Sequence, residues 1–334
     1  MGEYMQNTMQ KKPLVILTGP TAVGKSALSV LLAKSIGGEV ISADSMQVYR
    51  HMDIGSAKIT QAEMEGVPHY LIDILEPVEE FHVVRFQSLA KEALRTIYAK
   101  GKIPILAGGT GFYIQSVLYD IDFTETEEDD AFRSGLERFA KEQGNDALFE
   151  RLRRIDPKSC EILHANNIKR VIRAIEFYEK TGKPISEHNK EQHEKESPYQ
   201  FLYFVLNDER PLLYEKIEKR VDSMLEAGLV EEVKKLKDMG CTGTHVSMQG
   251  LGYKEILEYL AGTCTLEEAV YRIKRDTRHF AKRQLTWFRR EKDVTWISRQ
   301  DFRKAPDIDE DAAILEYMLC RLREKGIVTE RRKG

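Results

Sequence analysis

The stretch KPLVILTGPTAVGKSALSVLLAKSI, residues 12–36, decides the fold class of this chain. It opens with a short apolar run, as in a strand buried inside a parallel sheet. It closes with apolar residues at helical spacing, as in a helix packed on that sheet. Between them, GPTAVGKS at 19–26 matches the complete pattern G-x-x-x-x-G-K-[ST]. This order predicts an α/β protein that binds a diphosphate or triphosphate.

Residues 19–26, called the phosphate loop below, are expected to hold the anion mainly through backbone N–H groups. Gly19 and Gly24 let the chain wrap around the anion, and the helix start behind them adds partial positive charge. Lys25 is expected to neutralise phosphate charge, and Ser26 to hold Mg²⁺. The predicted diphosphate-binding residues are Gly19, Pro20, Thr21, Ala22, Val23, Gly24, Lys25 and Ser26.

Outward from this stretch, predicted strands alternate with predicted helices, which favours a mainly parallel sheet. Further strands are expected at 39–44, 69–74, 103–107, 201–206 and 294–297, and helices at 83–100, 211–239, 265–290 and 310–324. Several helices are expected within 131–182, and the polar stretch 183–198 is expected to be an exposed loop. The predicted architecture is a P-loop NTPase-like core interrupted by a helical insertion domain. Its parts are 1–122 (first part of the core), 123–196 (insertion) and 197–334 (second part).

Composition narrows the class of protein. With 42% hydrophobic and 31% charged residues among 334, the chain is not largely disordered. Its net charge of −3 gives no bulk attraction to a polyanion. No apolar run reaches the roughly 18 residues that span a bilayer. The four cysteines lack C-x-x-C spacing, which argues against a zinc site or disulfides. We expect a cytoplasmic protein with no membrane contact.

Asp44 follows the second predicted strand, in ISADSMQVYRHMDIGSAK at 41–58. Since parallel strands end at one edge of the sheet, Asp44 is expected near the bound phosphates. It could help to hold Mg²⁺, accept a proton as a general base, or serve only as a turn aspartate. Asp73 is interpreted as structural. Thr110, in GGTG at 108–111, follows another strand end, where glycines allow either close ligand approach or only a tight turn.

A basic segment at 271–292 carries nine lysines and arginines against two acids, with Trp287 and Phe288 interleaved. It could be a helix that follows nucleic-acid phosphates with aromatic neighbours. It could equally be an amphipathic helix with a charged outer face and Trp287 in the core. The two interpretations are compatible.

Seven blocks of this sequence, which stand in family order, resemble the tRNA dimethylallyltransferases, also called tRNA isopentenyltransferases. The chain ends without the cysteine–histidine pairing of the zinc finger that eukaryotic members often carry, so the resemblance is to the bacterial form. The blocks are GPTAVGKS (19–26), DSMQVYRHMDIGSAK (44–58), GGTGFYI (108–114), NNIKRVIRAIE (166–176), EKIEKRVDSMLEAGLVEEV (215–233), QGLGYKE (249–255) and TRHFAKRQLTWFR (277–289).

The resemblance implies a reaction. Dimethylallyl diphosphate gives its prenyl group to the N6 amine of an adenosine next to the anticodon of tRNA, and pyrophosphate leaves. The phosphate loop then holds the leaving group rather than ATP, with Mg²⁺ as cofactor. By the same resemblance Asp44 is the general base, Thr21 lies near the scissile oxygen, and Arg220 closes over the diphosphate beside Lys25.

We expect a monomer, and the resemblance also implies that it binds the tRNA anticodon stem-loop and draws the target adenine out of its stack. Enzymes acting on bases routinely extrude them, and a loop base needs less unstacking than a paired one. A helical insertion would clamp one side of the stem. The implied tRNA-binding residues are Asp44, Ser45, Met46, Gln47, Thr110, Arg133, Lys169, Arg170, Val171, Ile172, Arg173, Gln249, Gly252, Tyr253, Arg278 and Arg283.

Two alternatives remain. A P-loop kinase of a nucleoside or small metabolite shares the loop and the strand-end acid, and it predicts ATP binding with an arginine-rich lid. A non-catalytic RNA-binding protein that uses the loop as a switch has no need of Asp44. Incorporation of a prenyl label into tRNA separates both from a prenyltransferase.

Overall fold

A computed structural model describes residues 11–123, 130–303 and 309–329, and the chain forms two compact units. The first unit comprises residues up to Leu118 and those from Pro198 onwards; the second is Tyr119–Ser197. The acidic stretch of the sequence at 124–129 lies outside the described residues. Of the helices in the described ranges, none has both the length and the apolar character to cross a membrane.

Six parallel strands form the sheet of the first unit, in the order β3-β2-β4-β1-β5-β6. The central strand carries the phosphate loop at its carboxyl end. This confirms the predicted α/β class and the mainly parallel sheet. The strands are β1 (Lys12–Thr18), β2 (Gly38–Ser42), β3 (His69–Tyr70), β4 (Ile103–Gly108), β5 (Tyr199–Asn207) and β6 (Val294–Ser298).

Helices occupy most of the remaining described chain. In order they are α1 (Lys25–Ile36), α2 (Gln61–Met64), α3 (Val83–Ala99), α4 (Gly111–Leu118), α5 (Asp130–Gln143), α6 (Asn145–Ile155), α7 (Pro157–Cys160), α8 (Ile168–Thr181), α9 (Ile185–Glu194), α10 (Arg210–Glu226), α11 (Leu229–Asp238), α12 (Tyr253–Leu260), α13 (Leu266–Phe288) and α14 (Glu310–Glu324).

The central strand is apolar along its length because helices cover both faces of the sheet. Val15 and Leu17 join a buried cluster that includes Leu28 of α1 and Met318 of α14. Leu14 and Ile16 are also fully buried, and they point to the opposite face since strand side chains alternate. The helices α1 and α14 therefore pack on the sheet beside the phosphate loop.

The second unit is helical, with an apolar core formed by α5, α6 and α8. Its stretch 185–194 is helix α9, so the prediction of an exposed loop at 183–198 was wrong there. The buried Asp156 fixes this helix, because its carboxylate accepts hydrogen bonds from the backbone N–H (2.9 Å) and the hydroxyl (2.6 Å) of Ser186. Nearly all residues of this helix are polar, so its sequence has no apolar periodicity from which a helix could be predicted.

Two further elements differ from the sequence predictions. The expected strand at 69–74 ends after Tyr70, because Leu71 and Asp73 adopt positive φ angles of 64° and 53°. The expected single helix at 211–239 is two helices, interrupted at Gly228, whose φ of 98° suits glycine.

Candidate active site

The phosphate loop joins β1 to α1 through three residues with positive φ: Gly19 (147°), Ala22 (65°) and Gly24 (95°). Backbone of this kind turns successive N–H groups towards one point and makes an anion-binding concavity. A Cβ on Gly19 would lie 2.4 Å from the carbonyl oxygen of Leu206, so only glycine fits there. The Nζ of Lys25 donates to the carbonyl oxygens of Gly19 (2.9 Å) and Pro20 (2.7 Å).

Two cavities meet beside this loop. The first, of about 290 Å³, lies over Gly24, Lys25 and Ser26. The second, of about 450 Å³, is largely apolar and extends away from the loop. Residues common to both walls mark the junction, where a ligand in one cavity would touch a ligand in the other. These include Thr21, Asp44, Arg220, Phe280 and Gln284.

Asp44 lies just beyond the end of β2, half-buried at this junction. Its Oδ1 accepts hydrogen bonds from the backbone N–H groups of Met46 (2.8 Å) and Gln47 (3.3 Å). The carboxylate is therefore a turn aspartate, as the structural interpretation had it, and the turn holds it where two ligands would meet. The turn and a catalytic role are compatible because the turn engages one oxygen.

Lys25 and Arg220 form a strained pair of cations at the first cavity. Burial and the nearby Arg220 together lower the pKa of Lys25 from its ordinary 10.5 to about 7, although Asp44 opposes the shift. Burial likewise lowers the pKa of Arg220, again against the attraction of Asp44. Two half-buried cations that lack a full counter-charge favour binding of an anion.

Binding of an organic diphosphate is expected to restore the ordinary pKa of Lys25, so the protein takes up a proton. At pH 8 uptake should be about 0.9 proton, since a group with a pKa near 7 is mostly neutral before binding. The affinity for the diphosphate should be highest below pH 7, where Lys25 is already protonated, and should fall by up to about tenfold per pH unit above it. Calorimetry of dimethylallyl diphosphate binding in two buffers of different ionisation enthalpy measures this uptake.

The matched control is Lys25→Arg, which stays charged throughout this range and should show no uptake. Equal proton uptake by both proteins, or none by the unaltered chain, would show that Lys25 is not the titrating group.

Gln284 of α13 is a site residue that sequence analysis missed. Its Oε1 accepts from the backbone N–H of Thr21 (2.9 Å), and its Nε2 donates to the carbonyl oxygen of Gly109 (3.0 Å). A Cβ on Gly109 would lie 2.3 Å from that Nε2, which explains the glycine. Gln284 is 6% exposed and ties the phosphate loop to the turn after β4.

The loop 44–58 is held by buried ionic groups. Nζ of the buried Lys58 donates to carboxylates of Asp53 (2.6 Å) and Asp73 (2.5 Å), in keeping with a structural role for Asp73. The carboxylate of Glu232 accepts from three successive backbone N–H groups at 53–55, at 2.7–3.0 Å. Tyr253 donates its hydroxyl to Glu232 at 2.8 Å and is fully buried. The Tyr253 side chain therefore supports the loop, and the expectation that this residue binds tRNA stays a prediction.

Most other predicted tRNA-binding residues of the first unit lie at the cavities. Gln47 lines the first cavity, with its Nε2 bonded to the carbonyl of Ala57. Arg278 is instead paired with Glu218 of α10 at 2.6 Å. The predicted residues that line the second cavity are Ser45, Met46, Thr110, Gln249, Gly252 and Arg283.

In the second unit the predicted tRNA-binding residues divide into three groups. Val171 and Ile172 have their side chains in the apolar core of the helical unit, and the expectation that these residues bind tRNA stays a prediction. Arg133 and Arg173 donate to the fully buried Glu176. Burial opposes ionisation of Glu176, but hydrogen bonds from Arg133 and Lys180 hold its pKa below the usual range. Residues 169 and 170, a lysine and an arginine, are exposed on α8.

The basic segment at 271–292 is mostly helix α13. One side is core, with Ala281, Gln284 and Phe288 buried. The other side borders a groove of about 410 Å³, so the helix is amphipathic, while its contact with nucleic-acid phosphates stays a prediction. The groove is lined by His279, Lys282, Arg283, Thr286, Trp287 and Arg290.

Ser26 is exposed at the first cavity, beside Lys25. Within the described ranges, no cluster of three or more His, Cys, Asp or Glu side chains could hold a metal ion. Mg²⁺ usually keeps several waters and binds through one or two protein groups plus substrate phosphates. A serine hydroxyl beside an anion cradle fits a magnesium ion that arrives with a diphosphate.

A parallel sheet with a phosphate loop after its central strand defines a P-loop α/β protein. The sequence model of one protein family, the IPP transferases, matches residues 47–291. The chain belongs to this family.

Three similar proteins agree with this membership. A tRNA dimethylallyltransferase of Lachnoclostridium phytofermentans is 62% identical over 95% of this chain and 99% of that protein. A crystal structure of the tRNA isopentenylpyrophosphate transferase of Bacillus halodurans is 45% identical, with a TM-score of 0.70 over 95% of this chain and 99% of the other. A eukaryotic dimethylallyltransferase acting on tRNA is 30% identical, with a TM-score of 0.81 over 96% and 81%. This membership does not favour the kinase alternative.

Proposed function

We propose that this chain transfers the dimethylallyl group of dimethylallyl diphosphate to the N6 amine of an adenosine next to the anticodon of tRNA, and releases pyrophosphate. The observation that carries the proposal is the junction of the two cavities at Thr21, Asp44 and Arg220. A diphosphate on the phosphate loop and a base in the second cavity would meet there. The names of the relatives supply the identity of the two substrates.

On the prenyl-donor side, the protein stabilises charge that grows on the diphosphate as the carbon–oxygen bond breaks. The loop N–H groups, Lys25 and Arg220 already lie at the first cavity, so their reorganisation during the reaction is small. We expect Thr21, at the junction, to contact the bridging oxygen. Ser26 would hold Mg²⁺, which would supply further charge neutralisation when bound with the prenyl donor.

On the acceptor side, N6 of adenine is a weak nucleophile because its lone pair is delocalised into the ring. Asp44 accepts the N6 proton as the new carbon–nitrogen bond forms. Its backbone hydrogen bonds from Met46 and Gln47 hold the carboxylate still for that transfer. The apolar wall of the second cavity excludes water from the allylic carbon.

On the RNA side, the target adenine leaves its stack and enters the second cavity, while the groove on α13 follows the phosphates of the anticodon stem-loop. The exposed Lys169 and Arg170 of the second unit add contacts to the stem. One chain supplies both cavities, so we propose that a monomer acts, and that it acts in the cytoplasm.

Neutralising Lys282, Arg283 and Arg290 together by glutamine is expected to weaken tRNA binding and to flatten its salt dependence. All three line the groove on α13. Each lost phosphate contact removes about 0.7–0.9 from the slope of log K against log salt, so the slope should fall by about 2. Filter binding across a salt series measures it.

The control for this variant changes three cations at the end of α14, Arg321, Arg323 and Lys325, which should leave the slope unchanged. An unaltered slope in the groove variant would mean that this face is only solvated.

The experiment that tests the function uses unmodified tRNA, Mg²⁺ and dimethylallyl diphosphate labelled in the prenyl group. The proposal predicts label in the RNA and one pyrophosphate released per transfer. ATP consumption with unlabelled RNA would support the kinase instead, and RNA retention without turnover would support a binding protein.

A further inference from the structure

The phosphate loop is supported from behind by an arginine that follows β6. Arg299 is 6% exposed, and its Nε donates to the carbonyl oxygen of Val23 at 2.7 Å. Its remaining nitrogens bind two acids in the first turn of α14: Glu310, and Asp311 at 2.6 Å. Those carboxylates are also favoured where they stand, at a helix N-terminus.

This contact satisfies a backbone carbonyl group of the phosphate loop. Peptide N–H groups that converge on an anion leave their carbonyl groups pointing outwards, where they need partners. Arg299 supplies the partner for Val23. It also lies against Gly24, where an added Cβ would stand 2.6 Å from Nη2 of Arg299. Glycine is therefore needed at residue 24 for two reasons: its φ is 95°, and a side chain would occupy the space of this guanidinium.

The arginine belongs to a larger network. Arg303 donates to Glu310 (2.8 Å) and to the fully buried Asp208 (2.6 Å), and Lys216 also donates to Asp208 (2.8 Å). Asp208 follows β5, directly before helix α10, and Lys216 lies on that helix. The same helix carries Arg220 to the first cavity. The network thus connects both sides of the anion site.

Three cations (residues 299, 303 and 216) face four carboxylates. Residues 310, 311 and 208 accept hydrogen bonds, and the carboxylate of Glu209 lies 3.9 Å from Arg303. The network therefore adds no net positive charge at the anion site. Its contribution is the position of the loop and of α10.

We propose that Arg299 is a positioning residue for prenyl-donor binding: it fixes the phosphate loop, through Val23 and Gly24, in the conformation that receives the diphosphate. The inference rests on the proposed function only for the identity of that diphosphate. A misplacement of about 1 Å in such a site reduces activity by on the order of 10²-fold.

The test compares Arg299→Met and Arg299→Lys with the unaltered full-length chain. Calorimetry gives the Kd of dimethylallyl diphosphate without tRNA, and filter binding gives the Kd of tRNA without the prenyl donor. Both variants should weaken prenyl-donor binding by roughly 10- to 100-fold, with tRNA affinity changed by less than about twofold. Lysine keeps the charge but lacks the fork that reaches Val23 and both acids.

Asp311→Asn is the milder variant, because it leaves Arg299 in place; it should weaken prenyl-donor binding in the same direction by about 3- to 10-fold. Arg321→Met is the matched control, since Arg321 on α14 pairs with the exposed Glu324, and it should change neither affinity.

Unaltered prenyl-donor affinity in Arg299→Lys and Asp311→Asn would overturn the proposal, and so would equal losses of prenyl-donor and tRNA affinity, which indicate general destabilisation. Failure of the unaltered chain to bind dimethylallyl diphosphate would contradict the proposed function instead. In that case the Kd of inorganic pyrophosphate, measured by calorimetry for the same variants, tests whether Arg299 positions the phosphate loop.

Discussion

Replacing Asp44 by alanine is expected to slow prenyl transfer by about 10²–10⁴-fold, the usual contribution of a general base. Affinity for tRNA should change little, because Asp44 contributes one side chain to a large, mainly electrostatic interface. Single-turnover transfer with both substrates saturating measures the chemical step directly. Filter binding with the same preparations gives the affinity.

Asp44→Asn separates the two roles of this residue. Asparagine keeps an oxygen for the N–H groups of Met46 and Gln47, so the turn should survive, but it cannot take a proton. It should be as slow as the alanine variant. The control is Glu76→Gln, which removes an exposed carboxylate paired with Arg50 and should transfer normally. Turnover of both Asp44 variants within about threefold of the unaltered chain would remove Asp44 from the mechanism.

Replacing Lys25 by methionine is expected to reduce the rate of prenyl transfer by the second large factor. Removing one fixed group that stabilises developing charge typically costs on the order of 10²–10³-fold in rate. Methionine keeps most of the apolar volume but leaves the carbonyl oxygens of Gly19 and Pro20 without their ammonium donor. We expect kcat/KM for dimethylallyl diphosphate to fall by at least that factor, while the KM for tRNA stays within about threefold.

Steady-state kinetics with each substrate varied in turn check this prediction. Lys25→Arg should retain part of the activity because it keeps the charge. Equal losses for both substrates would indicate a damaged fold, and a normal kcat/KM for the prenyl donor would mean that the diphosphate binds elsewhere.

Local patterns were enough to predict the frame of this site. The phosphate loop is contiguous, and its two flanking elements are recognisable from their own residues. Asp44 could be predicted because parallel strands end at one edge, so a residue after β2 must lie near the loop after β1. Thr110, which follows the end of β4, likewise lines the second cavity.

The supports of the site were not predictable in this way. Gln284 bonds to Thr21 across 263 residues, and Arg299 bonds to Val23 across 276. Neither spacing leaves a local pattern, because only the fold brings the partners together. Their neighbours in sequence suggested other roles, since both lie in or after a strongly basic segment.

Tyr253 is a related case. The family resemblance implied it as a tRNA-binding residue, and its structural role left no pattern in the sequence. The structure buries it against Gly55, where an added Cβ would lie 2.6 Å from its ring, and bonds it to Glu232. Within this block, Tyr253 therefore holds a loop in place, while Gln249 and Gly252 line the second cavity.

The most direct test of the account is a crystal structure with an anticodon stem-loop and a non-reactive thio analogue of dimethylallyl diphosphate. The account predicts that the diphosphate lies on the N–H groups of residues 19–26. It also predicts an Asp44 carboxylate oxygen within hydrogen-bond reach of the extruded adenine N6, at about 2.6–3.2 Å. A carboxylate well beyond contact with N6, or an analogue bound away from this loop, would contradict it.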